Sequence, residues 1–407
     1  MQRRVCTLCL AFTIWTGLIP IGPARAEDPA PTGQIQFSPA PETGQPAWIP
    51  WAPERDGVLK FDAEVSGRPV NAMADTGATV SALDRRFAET LGAKVGANTQ
   101  AIPVVGTGGP ATAYPGPTID LTFPSYTIKG LSTAIVDLAA LRVEGTRPLD
   151  MMLGLDVLGS GALELDLAEH GWRLWPNGVQ AEEMETAPLR RSESGFYAFV
   201  TIPIGTRPLR LWIDTGSMSG LQLTAAAAAS IEALKQGRRT SIATQGINGV
   251  LVETLVIPSR LKFGAVELSE VPVQIGGDGV DTQPDGLDGM IGLGLLQRLH
   301  AVLNLPASTF LYVANDGPPK PLVRSTLGLQ TQWDDGAVVI RHVMANSPAA
   351  SGGWQAGDRI CAVDGAPVTP RKRAYEPSPW SLKPPGTNLT FRLCDGTERT
   401  LVAQHFY

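Results

Sequence analysis

The sequence predicts a mostly β protein built from two copies of one lobe, followed by a smaller β-rich domain with short helices. Three observations predict it. The 407 residues include 44 Gly and 34 Pro, above the usual shares of about 7% and 5%, which suits many short strands and turns. A pattern of strand, turn, apolar run and Asp-Thr-Gly occurs twice, 139 residues apart. Near residue 318 a different pattern takes over. At roughly 150 residues per domain, the length fits two to three domains.

Composition narrows the function classes. Apolar types make up 43% and charged types 18%, which excludes a disordered acidic chain and a multi-span membrane protein. A net charge of -6 offers no basic surface for phosphate backbones, so nucleic acid is not an expected partner. Four Cys and four His are too few and too scattered for a structural zinc site, and no metal or other cofactor is expected.

Residues 1–26 read as an export signal: Arg3 and Arg4, an apolar stretch from Val5 to Ile19, and the small-x-small pattern of Pro23-Ala24-Arg25-Ala26. The competing reading is an uncleaved anchor, for which some 15 apolar residues fall short of the roughly 20 that span a bilayer. After cleavage only Cys361 and Cys394 remain. They form one disulfide in an oxidising compartment or stay as two buried thiols. Residues 27–55 carry seven prolines between Glu27 and Pro53, and are expected to be an unfolded leader or linker. A third possibility is an inhibitory pro-segment over the cleft.

The repeat is the most informative feature. Val58 to Val65 alternates like a half-buried strand, Gly67-Arg68-Pro69 turns it, and Val70 to Ala74 runs into Asp75-Thr76-Gly77-Ala78. In the second copy Tyr197 to Ile204 alternates, Thr206-Arg207-Pro208 turns, and Leu209 to Ile213 runs into Asp214-Thr215-Gly216-Ser217. Helical segments follow at Asp84 to Leu91 and Thr224 to Lys235. Gly-rich turns come next, Gly106-Thr107-Gly108-Gly109 and Gly246-Ile247-Asn248-Gly249. Each copy closes on an apolar pair and Gly, at Met152-Leu153-Gly154 and Met290-Ile291-Gly292. The expected lobes span residues 56–183 and 184–317.

A loop that presents a buried carboxylate needs Gly for close backbone approach and a small hydroxyl residue to lock it. Asp-Thr-Gly should arise by chance about 0.1 times in a chain of this length, and here it stands twice at equivalent positions. Both copies resemble the lobes of aspartic proteases, the retropepsin-like and pepsin-like clan. The resemblance implies lobes in which the Asp loop and the apolar-apolar-Gly element cross in a ψ shape, meeting across a substrate cleft. It makes Asp75 and Asp214 the catalytic pair, with Thr76, Gly77, Thr215, Gly216 and Ser217 supporting them. Close carboxylates share one proton. The ionised partner then activates water and the protonated one stabilises the tetrahedral intermediate. Gly106, Thr107, Gly108 and Gly109 fall where the family carries its cleft-covering hairpin. The lack of Tyr at that tip departs from the pepsin pattern toward the retropepsin one. Ser217 differs from Ala78 at the equivalent place. Its hydroxyl is expected to donate to the Asp214 carboxylate, leaving the charge on Asp214 and the proton on Asp75. Gly216-Ser217-Met218-Ser219-Gly220 has its serines at the wrong offsets for a nucleophile elbow.

After a linker around Pro318-Pro319-Lys320-Pro321, Leu327-Gly328-Leu329, Ser347-Pro348-Ala349, Gly357-Asp358-Arg359-Ile360 and two final strands follow. This order resembles a PDZ domain of exported bacterial proteases, expected over 318–407. The resemblance implies that Leu327, Gly328 and Leu329 receive a peptide's C-terminal carboxylate beside a strand edge. Pro377 and Pro379 shorten or displace the groove helix. The expected protein is an exported bacterial aspartic endopeptidase, periplasmic or secreted, without a stable membrane span after signal cleavage. Its expected partners are peptide or protein substrates, together with a C-terminal peptide at the PDZ domain. The alternative is a catalytically silent peptide-binding protein using cleft and PDZ groove together.

Overall fold

A computed structural model describes residues 34–37, 45–52, 57–96, 99–106, 109–141, 146–179, 183–246, 249–276, 284–315, 322–370 and 378–407. The expected export signal, the linker beyond Asn315, Pro377 and the turn-tip residues Thr107, Gly108, Ile247 and Asn248 lie outside them.

The alternating runs form the predicted strands and the chain is mostly β. In the first lobe Lys60–Val65 folds back on Arg68–Ala74, burying alternate residues such as Phe61, Ala63 and Val65. Arg68–Ala74 then lies parallel to Met151–Leu153. Met151–Leu153 also receives Ala82–Asp84 antiparallel, and Ala82–Asp84 runs parallel to Tyr126–Val136. The second lobe repeats the connectivity. Ala198–Ile204 folds back on Arg207–Ile213, which pairs in parallel with Gly289–Ile291. Leu221–Leu223 joins antiparallel on one side and meets Val273–Ile275 in parallel on the other. The helical segments are short, Arg85–Thr90 capped by the Asp84 side chain and Ala225–Ala229 capped by Thr224.

The two lobes share a sheet. Ala162–Asp166, from the end of the first lobe, pairs with Leu299–Asn304 from the end of the second, and one apolar core runs through both. Both Gly-rich turns cap hairpins, Ile102–Gly106 with Gly109–Phe123 and Arg239–Gly246 with Gly249–Val256.

The leader departs from the expectation of an unfolded segment. Gln34–Phe37 adds to the edge of Tyr126–Val136, and Ile49 exchanges two backbone hydrogen bonds with Trp172 at 2.8 and 3.0 Å. The prolines leave Gln34 to Phe37 free of breaks, and an alternating tetrapeptide without Pro can fill a ladder.

The C-terminal sheet runs from the edge strand Leu329–Asp334 through Ala337–Val343, Arg359–Val363 and Asn388–Leu393 to Glu398–Val402. Cys361 and Cys394 are disulfide-bonded, which settles the open pairing. Among the described residues of the segment expected to form the groove helix stands the 3-10 turn Pro379–Leu382. This domain packs on the second lobe's hairpin. Gln330 donates to the Ala243 carbonyl at 3.2 Å and accepts from the Ala243 amide at 2.7 Å. Ser241 Oγ meets His342 Nε2 at 2.7 Å, and Thr240 donates to the Ala345 carbonyl at 2.7 Å.

Candidate active site

Asp75 and Asp214 each follow the inner strand of their lobe, whose amide ladder ends on the crossing element: the Asp75 amide donates to the Leu153 carbonyl and the Asp214 amide to the Ile291 carbonyl, both at 2.9 Å. The chain then loops and returns under itself. Leu155 donates back to Ala78 at 2.7 Å and Leu293 to Ser217 at 2.8 Å. These crossings bring the two carboxyls into hydrogen-bond contact with each other.

The supporting residues are reciprocal across the lobes. The Thr76 amide donates to the Thr215 hydroxyl and the Thr215 amide to the Thr76 hydroxyl, each at 3.0 Å. The same hydroxyls donate to the Ile213 and Ala74 carbonyls at 2.7 and 2.9 Å. Both threonines are buried, and the amide and hydroxyl of each has a partner. The Gly77 and Gly216 amides donate to Oδ1 of their own lobe's Asp at 2.8 Å. A Cβ on Gly77 would lie 2.6 Å from the Asp214 carboxyl, and one on Gly216 would lie 2.5 Å from that of Asp75. Glycine is therefore what lets each loop touch the other lobe's acid.

Burial raises the affinity of both carboxyls for protons, and backbone amides oppose the shift. At Asp214 the charge of Asp75 adds to the effect of burial. The pair therefore holds one proton between two acids, and the titration belongs to the pair. The hydroxyl contact expected to place the charge on Asp214 is not formed. The reason is local: Ser217 Oγ pairs with Ser219 Oγ at 2.8 Å and accepts from the Ser219 amide at 3.2 Å, so its hydroxyl is engaged away from Asp214.

Two supporting residues escaped the sequence reading. Ser81 donates its amide and hydroxyl to Asp156 at 2.9 and 2.8 Å, and its Oγ accepts from Gly154 at 3.0 Å. Together they brace the first lobe's crossing. Only the spacing of Asp156 two residues beyond Gly154 hints at this. Gly106 and Gly109 face each other across the hairpin end. Among the described residues, no group of His, Cys, Asp and Glu is placed to hold a metal ion, and no helix is long and apolar enough to cross a membrane.

In the C-terminal domain, Leu327 is buried and the amides of Leu327 and Gly328 donate to Ser325 Oγ at 3.4 and 2.9 Å. Gly328 has φ +83°, a conformation that favours glycine. Leu329 starts the edge strand.

Residues 61–157 match the family model Asp_protease_2, aspartyl protease, and residues 319–372 match that of the PDZ domain. No curated protein matches the chain. Among solved structures, the aspartic proteinase from Irpex lacteus is similar at 14% identity and a TM-score of 0.42, over 65% of this chain and 96% of that one. The chain thus carries an aspartyl protease-like domain, matched within its first lobe, and a PDZ domain after the second.

Proposed function

We propose that the protein is an exported bacterial aspartic endopeptidase whose two lobes arose by internal duplication, with Asp75 and Asp214 as its catalytic pair. One observation carries the reading: two carboxyls in mutual hydrogen bond, held by reciprocal Thr-Gly loops from both lobes. One carboxylate accepts a proton from a water between the acids as that water attacks the peptide carbonyl. The protonated partner donates to the developing oxyanion and then supplies the proton for the leaving amine. No covalent intermediate forms. The hairpin Ile102–Gly106 with Gly109–Phe123 serves as flap, and the edge strand Leu329–Asp334 with the Leu327-Gly328-Leu329 loop docks substrate or partner peptides. The Cys361–Cys394 disulfide supports an oxidising compartment, in line with an export signal over residues 1–26.

The test is incubation of the mature chain with a mixed peptide library from pH 3 to 7, beside Asp75→Asn and Asp214→Asn. Cleavage by the parent that falls about 10²- to 10⁴-fold in each variant is expected. A folded parent that cleaves nothing, or a variant that keeps more than about a tenth of the activity, overturns the reading.

A further inference from the structure

Each lobe turns one sheet face toward the acids, and the two faces differ in chemistry. Side chains two apart on a strand share a face, so Met73 stands with Asp75 and Trp212 with Asp214. Ladder partners also share a face. From Met73 the register runs to Met152, Ala82 and Ala134; from Trp212 it runs to Met290, Gln222 and Gln274. One strand further out Ala134 pairs with Pro115 and Gln274 with Leu255, and two residues before these stand Ala113 and Glu253. Three alanines of the first lobe thus occupy the stations that Gln222, Gln274 and Glu253 occupy in the second.

The consequences differ. Ala82 and Ala113 join Met73, Leu138, Leu149 and Met152 in one apolar cluster. In the second lobe Gln222 Nε2 donates to Glu253 Oε1 at 2.7 Å, and Gln274 Nε2 donates to Glu253 Oε2 at 3.1 Å. Glu253 is 2% exposed. No ion pair to it stands among the described residues, where the acid is held by neutral amides alone. Those two donors leave part of a carboxylate's roughly four acceptor positions open, and a buried acid without a counter-charge holds a proton unless a cation meets it. The turn Ala139–Leu141 of the first lobe packs against Arg239–Gly246.

Resting on the peptidase reading above, we propose that Glu253, seated between Gln222 and Gln274, selects substrates with an ammonium or guanidinium side chain on one side of the scissile bond. The alanine face of the first lobe takes an apolar side chain on the other. Burial pushes the Glu253 carboxyl up to about 7. The strands packed against it, Leu221–Leu223, Val273–Ile275 and Arg239–Gly246, carry one charged group, Arg239, whose guanidinium is turned to the Leu234 carbonyl at 2.8 Å. A docking cation favours the ionised acid, so discrimination strengthens as pH rises toward 7.

The experiment measures kcat/KM of the mature full chain on paired peptides that differ only in Lys or norleucine at each position flanking the cleaved bond, at several pH values between 4 and 7. A Lys preference of about tenfold or more at one position, growing with pH and lost in Glu253→Gln, supports the proposal. Should thermal unfolding show that Glu253→Gln does not fold, Glu253→Met, an apolar replacement of similar volume, takes its place. Cleavage without a Lys preference, or a preference that survives removal of the carboxyl, overturns the proposal and leaves the peptidase reading standing. A parent chain that cleaves no peptide overturns both.

Discussion

Glu164 of the first lobe meets His300 of the second at 2.9 Å across the sheet that joins the lobes. Burial alone would raise the Glu164 carboxyl, but hydrogen bonds from His300, Arg173 and Trp175 outweigh it and bring the group down to about 2. His300 is raised in turn, chiefly by that hydrogen bond. The depressed acid stabilises the fold above its ordinary range near 4.5, and that contribution is lost as pH falls toward 2. The raised His stabilises below about 6.5 and loses its contribution as pH climbs through its folded value. The difference in urea unfolding between the parent and Glu164→Gln, followed from pH 2 to 8, should therefore be largest between about 4.5 and 6.5. Glu164→Gln should cost about 3 kcal/mol within that window and flatten the acid limb.

Thr76→Val should leave the buried Thr215 amide and Ile213 carbonyl without partners, at a cost of about 1–3 kcal/mol for each. Thr215→Val should do the same to the Thr76 amide and Ala74 carbonyl. Serine at either place keeps the hydroxyl and should restore most of the stability. Thermal unfolding of the four single variants reads this directly.

Gly77→Ala and Gly216→Ala should each inactivate more than they destabilise, because the added methyl meets the opposite lobe's carboxyl and drives the acids apart. The comparison is kcat against melting temperature. An alanine variant with near-parental kcat would show that the loops yield without moving the acids.

Ser217→Ala should leave the acid limb of the pH–rate profile in place, since the Ser217 hydroxyl bonds Ser219 and not Asp214. A shift of that limb in a folded, active variant would return the asymmetry to this hydroxyl.

The legible parts of the molecule were those whose meaning is local. Asp-Thr-Gly announces itself because one residue supplies the acid, the next a lock and the third room for the opposing acid, within three positions. Strand boundaries followed from alternation for the same reason. What sequence could not show is partnership at long range: Glu164 with His300, Ser81 with Asp156, and Gln222 and Gln274 with Glu253 are ordinary surface-type residues until the fold brings them together. The leader misled through its prolines, which flank the short strand Gln34–Phe37 without entering it. Ser217 misled because a hydroxyl three residues from an acid has a nearer competitor in Ser219.

Arg239–Gly246 is the terminal strand of a sheet that has twelve strands among the described residues, so its outer amides and carbonyls need partners other than a neighbouring strand. Gln330 answers this by turning its side-chain amide into a substitute peptide group, donating and accepting at Ala243. The PDZ domain thereby covers part of that strand's outer edge. A molecule cut in the segment between Asn315 and Leu322 and stripped of the domain bares a ladder that recruits further strands. Its aggregation, rather than any loss of chemistry, would then limit how long it survives in solution.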